Sequence, residues 1–188
     1  MANFTKKAIK ETFIKLLSER LLSQITVKDI VETCGINRNS FYYHFQDIPS
    51  LIEEIVIEAA DRIITAYPTL DSLEMGFNAV IEFAEKNRCA ILHIFKSVNR
   101  DIFEQYLWKV CDHVVVSFFK TAIDDQPISD EDREIIIQFY KAQCFGMVID
   151  WLRSGMKEDV HHKIHRICEL QKGMIEETIR RSIESKNR

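Results

Sequence analysis

Glycine and proline are scarce in this chain, five and three in 188 residues. So little punctuation leaves few places where helices must break, which disfavours a turn-rich β protein and points to an all-α chain. The five cysteines (34, 89, 111, 144 and 168) form no CxxC pair and are odd in number. A disulfide framework is therefore not expected, and reduced, mostly buried thiols of a cytoplasmic protein are. Apolar runs such as "CFGMVI" before Asp150 are far too short to cross a bilayer, so no membrane association is expected. The N-terminal "FTKKAIKETFIKLLSERLL" carries charges throughout and lacks the apolar core of a signal peptide. The sequence also lacks a phosphate-binding Gly loop, a nucleophile elbow and an HExxH motif. Neither an enzyme nor a cofactor is expected.

What is present is an ordinary globular balance, 46% hydrophobic and 29% charged residues. The net charge of −4 is spread unevenly: residues 1–50 hold seven Lys/Arg against five Asp/Glu, and the rest hold eighteen against twenty-four. The one positive region thus lies at the N-terminal end.

Ile9, Phe13, Leu16, Leu17 and Leu21 recur at helical spacing and predict a first helix from about Thr5 to Leu21. Thr26 followed by Asp29 is a capping-box pattern, and Val27, Ile30, Val31 and Cys34 form one apolar face of a short second helix. Gly35 stops that helix in the manner of a left-handed cap. Asn37 caps a third short helix in which Phe41 and Phe45 lie one turn apart and face inward. Asp47 and Pro49 fit the start of a fourth, with Leu51, Ile52, Ile55, Val56, Ala59 and Ile63 behind them.

Two short helices around a tight Gly-containing turn, backed by a longer one, form a helix-turn-helix. With the two Phe turned inward, Arg38, Asn39, Ser40, Tyr42, Tyr43 and His44 lie on the outer side or at the helix N-terminus. Arg and Asn suit the major-groove edges of guanine and adenine. Ser, Tyr and protonated His suit phosphate oxygens, as does the positive end of the helix. Lys28 reaches the same surface from the second helix. A solvated helix of an ordinary bundle, with Tyr at the edge of the core, fits the same periodicity.

The stretch "ITVKDIVETCGINRNSFYYHF" resembles the tetracycline-repressor (TetR) family of bacterial regulators position by position, and the resemblance covers roughly residues 5–55. It implies that Lys28, Arg38, Asn39 and Ser40 approach bases or nearby phosphates, and that Tyr42, Tyr43 and His44 grip phosphates. One departure stands out. The family usually carries Lys three residues past the terminal Phe, where this chain has Ile48 followed by Pro49.

Beyond Tyr67-Pro68 the segments expected as helices are 69–86, 88–97, 99–123, 129–154 and 157–185, which makes about nine in all. Ser129 with Asp132 repeats the capping-box pattern, and "VVVSFF" keeps helical spacing with Tyr106, Val110 and Ala122 on its flanks. The domain expectation is a helix-turn-helix head over 1–48, linked through helix 49–67 to a ligand-binding and dimerisation body over 68–188. "EIIIQFYKAQCFGMVIDWL" is apolar nearly all round, and Val160, Ile164, Ile167, Met174 and Ile175 stripe the final helix. The last two helices are therefore expected to pair with those of a second copy, as the family resemblance also implies. The "WLRSGM" ending is similar to a subgroup of that family's C-terminal domains.

Twelve of the nineteen aromatics lie between Phe77 and Trp151. Family members often hold an effector here, and an aromatic lining suits an apolar small molecule. Phe77, Phe95, Phe103 and Phe145 are the candidate lining, with His93 and His113 as polar candidates; aromatics at helical spacing are equally explained as core. His161, His165 and Cys168 fall on one face of a helix, but three ligands along one helix do not close a tetrahedron, and no metal is expected. The expected protein is a DNA-binding regulator that acts on a palindromic operator as a homodimer. Two other readings stay open, a regulator worked by a partner protein and a helical ligand carrier or small enzyme that binds no DNA.

Overall fold

The computed structural model describes the backbone of residues 2–68, 73–97, 100–123 and 126–186, and the side chains among these except those of 2, 3, 73, 97, 100–103, 120–122 and 186. The described helices are α1 (Ala2–Glu19), α2 (Val27–Cys34), α3 (Arg38–His44), α4 (Ile48–Ala66), α5 (Leu73–Lys86), α6 (Arg88–Ser97), α7 (Arg100–Ile123), α8 (Asp130–Arg153), α9 (Val160–Gln171) and α10 (Met174–Lys186), with a 3-10 turn at Leu22–Gln24. No strand occurs among the described residues, so the chain is all-α as expected. "VVVSFF" lies within α7. The expected starts at Thr69 and Asn99 fall outside the described residues.

One expected helix is two. The stretch 157–185 breaks at Gly173, whose φ of +80° is left-handed, with Lys172 donating back to Glu169 at 3.4 Å. Its apolar spacing continues across the break, so periodicity alone could not reveal it. Its start is also later, because the Asp159 side chain caps α9 by accepting the His162 N–H at 3.0 Å.

The chain packs as two compact units, residues 1–59 with 84–106, and residues 60–83 with 107–188. A single cut at residue 68 would not reproduce them, because α6 packs with the head. Ala90 belongs to the head core with Ile9, Phe13, Ile30, Phe41 and Leu51, and Ile94 packs against it. Phe13 and Phe41 are 1% and 0% exposed, each contributing about 1.5–3 kcal/mol through burial. His93 adds a polar tie, its Nδ1 2.7 Å from the Leu17 carbonyl oxygen.

Charge then fixes α1 against α4. Lys10 Nζ donates to Glu54 at 2.5 Å and Glu58 at 2.6 Å, and Lys6 reaches Glu54 at 2.6 Å. Burial pulls the Lys10 ammonium down, but the hydrogen bonds and charges of the two carboxylates outweigh it and leave its pKa raised. Burial likewise pushes Glu54 up, and its bonds to Lys10 and Lys6 bring it below the usual value.

In the second unit Val115, Phe118, Phe119 and Ile123 of α7 pack with Ile128, Ile136 of α8 and Ile179 of α10. Trp108 meets Phe145 edge-on at 5.3 Å, Asp112 accepts from Lys141 at 2.6 Å, and Phe119 stacks on Tyr140 at 4.7 Å. The descending α8 numbers make the pair antiparallel. Gly76 permits a close approach of α5 to α7, since a Cβ there would stand 3.0 Å from the Phe118 ring.

A polar ladder joins α5 to α9. His161 Nδ1 lies 2.7 Å from Asn78 Oδ1, and one turn on, His165 Nδ1 lies 2.8 Å from Glu74 Oε1. The hydrogen bond to Glu74, then the charges of Glu74 and Glu169, raise the His165 pKa above 6.5 against small opposition from burial and Arg166. A raised histidine pKa stabilises the fold below the unfolded value, and that contribution is lost as pH climbs through the folded value. The His165 imidazole should therefore titrate by NMR with a midpoint above 6.5. Glu74→Gln should lower that midpoint; an unchanged one would mean that the α5–α9 pair does not form in solution.

Candidate nucleic-acid interface

The start of α2 is closed by a reciprocal capping box. The Asp29 N–H donates to Thr26 Oγ1 at 3.3 Å, and the Thr26 N–H donates to Asp29 Oδ2 at 2.8 Å. Hydrogen bonds from the Thr26 hydroxyl and backbone hold the Asp29 carboxyl below its usual range, with Arg20 helping against slight burial. Arg20 Nη2 stands 3.3 Å from Asp29 and ties the end of the first helical segment to this cap.

Gly35 ends α2 with φ 68° and ψ 32°, its N–H donating toward the Val31 and Glu32 carbonyls, and the Ile36 N–H donates to Val31 at 3.0 Å. The chain can then turn into α3. The Asn37 side chain caps that helix, its Oδ1 accepting the Ser40 N–H at 2.8 Å and the Ser40 hydroxyl at 3.0 Å. Phe41 and Phe45 are buried at 0% and 3% exposure. Lys6 and Lys10 place their ammonium groups 5.7 and 6.0 Å from the Phe45 ring centroid.

That burial decides the outer face. Arg38 and Asn39 are exposed in the first turn, and Tyr42 and Tyr43 follow at 54% and 78% exposure. His44 is half-buried, edge-on to Tyr43 at 4.9 Å. Ser40 is half-buried, with its hydroxyl proton directed at Asn37. Lys28 is exposed on α2 and stands 3.7 Å from Glu32, a surface pair of small worth that opens readily toward another anion. All seven candidate residues therefore sit on α2 or α3 of one unit.

Ile48 is the first residue of α4 and packs against the head core. Asp47 caps this helix by accepting the Ser50 N–H at 2.8 Å. An apolar side chain thus serves the core at this position. Sequence reasoning passed over Arg20 and the Lys6/Lys10 to Glu54/Glu58 network. The signal was there, in lysines and glutamates each spaced one turn apart on neighbouring helices.

The six candidate ligand residues do not fall in one unit. Phe77, His113 and Phe145 belong to residues 60–83 and 107–188. There Phe77 and Phe145 are half-buried and His113 Nε2 lies 2.6 Å from Asp61 Oδ1. His93 and Phe95 belong to the other unit, where the Leu17 carbonyl engages the His93 ring. Phe103 belongs there too, but its side chain lies outside the described residues. His161 and His165 are engaged with Asn78 and Glu74. Among the described residues no group of three or more His, Cys, Asp or Glu could hold a metal ion.

Residues 11–55 match the family described as bacterial regulatory proteins, tetR family, and residues 71–173 match the transcriptional regulator C-terminal region of the same family. The chain belongs to the TetR family. Both matched regions are described as parts of transcriptional regulators. A curated relative, the uncharacterized HTH-type transcriptional regulator YxbF of Bacillus subtilis (strain 168), is 21% identical over 168 residues. The match covers 82% of this chain and 41% of that relative, so the chain spans about two fifths of its length. Among solved structures, the dihydroxyacetone kinase operon activator DhaS aligns with a TM-score of 0.66 at 19% identity, over 90% of this chain and 97% of that one. A TetR transcriptional regulator from Rhodococcus sp. RHA1 aligns at 0.63 and 14%, over 92% and 98%. Among the described residues no helix is long and apolar enough to cross a membrane.

Within this TetR head the left-handed turn is a local requirement. A Cβ at Gly35 would meet nothing within 4 Å, so substitution there brings conformational strain and no clash. Gly35→Ala should destabilise the protein by about 1–2 kcal/mol in urea unfolding. A neutral substitution would show that the α2–α3 turn relaxes out of the left-handed region.

Proposed function

We propose that this TetR-family regulator acts in the cytoplasm as a homodimeric repressor on a palindromic operator and has no enzymatic activity. The observation that carries the DNA contacts is the exposed row of Arg38, Asn39, Tyr42 and Tyr43 behind the buried Phe41–Phe45 pair. In this reading Arg38 and Asn39 meet base edges, while Lys28, Ser40, Tyr42, Tyr43 and His44 meet phosphates. To meet a phosphate, the Ser40 hydroxyl turns its proton away from Asn37 Oδ1 and donates it to the phosphate oxygen.

Support for the dimer comes from α8 and the last helical stretch. Ile135 and Phe139 are 57% and 62% exposed, and Ala142 and Gly146 extend the same α8 face. A Cβ at Gly146 would meet nothing within 4 Å, which leaves room for another helix to approach. Leu170 and Met174 are exposed at 63% and 53% beside the α9–α10 break. Exposed apolar residues in such numbers mark an interaction surface. A dimer would set two recognition helices into major grooves about 34 Å apart or a multiple of it.

An apolar or amphipathic effector in the body completes the reading, with Phe77, His113 and Phe145 as its candidate contacts. It must bind the DNA-competent and released states unequally to shift them. Activation is the second reading, favoured by the likeness to DhaS, which is described as an operon activator.

Selection from random duplexes should return inverted repeats; sites without symmetry would overturn the dimeric reading. On the selected site Arg38→Ala should cost about 1–3 kcal/mol and relax preference at one base position. Tyr42→Phe should weaken all duplexes by a similar factor and leave the preferred sequence unchanged. If Arg38→Ala weakens random DNA as much as the operator, Arg38 is a phosphate clamp.

Phe139→Glu should convert the dimer to a 22.1 kDa monomer in sedimentation and abolish operator binding, with helicity retained. A wild-type protein that is already monomeric at micromolar concentration would remove the premise.

A further inference from the structure

Two cysteines meet in the seam between α7 and α8. On α7, Cys111 stands between Trp108 and Asp112 and one turn before Val115. On α8, Cys144 stands beside Phe145 and one turn after Tyr140 and Lys141. The partners on either side are paired with each other, Trp108 to Phe145 at 5.3 Å and Asp112 to Lys141 at 2.6 Å. Cys144 packs against the cluster that contains Val115, Phe118 and Phe119. The two bracketing contacts put Cys111 and Cys144 at the same level of the seam, where each thiol shifts the other. Cys111 is 2% exposed and Cys144 is half-buried.

The two thiols are not equivalent. The neighbouring Cys144, reinforced by burial, pushes the Cys111 thiol up. Cys111 in turn lowers Cys144, against burial. Lys141, whose ammonium also lies 4.7 Å from the Trp108 ring centroid, adds positive charge to the seam, partly offset by Asp112. A half-buried thiol beside a nearly inaccessible one is the arrangement of an attacking and a resolving cysteine.

We propose that Cys111 and Cys144 form an oxidisable dithiol that reacts with small hydroperoxides and closes to an intramolecular disulfide. The Cys144 thiolate attacks the peroxide: an S–O bond forms, the O–O bond breaks, and the departing oxygen takes a proton and leaves as alcohol or water. Cys111 then attacks the Cys144 sulfenic sulfur: the S–S bond forms, the S–O bond breaks, and the departing hydroxide takes the Cys111 proton and leaves as water. The two thiols give up two electrons, and the peroxide is reduced. Closing an S–S bond of about 2.05 Å asks for a local approach of two side chains across the seam. The other cysteines are placed differently: the Cys34 thiol lies 3.1 Å from Thr12 Oγ1, and Cys89 is exposed on α6.

The full reduced chain, treated with a small molar excess of hydrogen peroxide, alkylated and digested, decides the matter by mass spectrometry. A peptide joining Cys111 to Cys144, two hydrogens lighter than its parts and cleaved by dithiothreitol, is the expected product. It should be lost in Cys144→Ala, and Cys111→Ala should leave a Cys144 sulfenic acid that dimedone traps. Full alkylation of both thiols after peroxide would overturn the proposal, as would a disulfide from Cys144 to another cysteine. The wild-type measurement stands by itself should either variant fail to fold.

Discussion

Everything at the proposed DNA surface depends on the burial of Phe41, inside a seven-residue helix, and of Phe45, the residue that ends it. A helix that short has little stability of its own, since nucleation fixes several residues for each hydrogen bond gained. α3 persists because its two Phe side chains complete the core built by Ile9, Phe13, Ile30 and Leu51, and because Asn37 caps its open end. With the inward side filled, Arg38, Asn39, Tyr42 and Tyr43 have one direction left. Presentation of these candidate contact residues is therefore a consequence of packing, and the same contacts that stabilise the head aim its polar face.

The polar ties around that core have a common design. Lysines on α1 meet glutamates on α4, while Arg20 meets the Asp29 of the α2 cap. In the second unit, His161 and His165 meet Asn78 and Glu74, and Lys141 meets Asp112. Each links helices distant in sequence at one register, which apolar packing alone specifies weakly. Where such pairs reach solvent their net energy is small, so that part of their contribution is better read as fixing alignment than as holding the fold together.

Much of the head was legible in the sequence because its signals are local. Thr26 and Asp29 cap a helix that contains them, Gly35 must adopt a backbone that other residues resist, and a four-residue spacing puts Phe41 and Phe45 on one face. The body was less legible. The apolar stripe of 157–185 continues across Gly173, so the break into α9 and α10 left no mark on the periodicity. Aromatics at helical spacing between Phe77 and Trp151 read alike whether they line a site or fill a core. Nothing local told that His93 would settle on the Leu17 carbonyl in the head's unit.

By itself, then, the sequence determined the helices, the caps and turn of the head, and the chemical character of its outer face. These follow from backbone sterics and from side chains a turn or less apart. Only the tertiary structure decided which helices share a unit, that α6 packs with the head, and that His161 and His165 form a ladder to α5. It also decided that Cys111 and Cys144, 33 positions apart, meet across two helices. Those outcomes depend on the register between helices far apart in the chain. That register is set by the summed shape and charge of many side chains, and no single spacing along the chain encodes it.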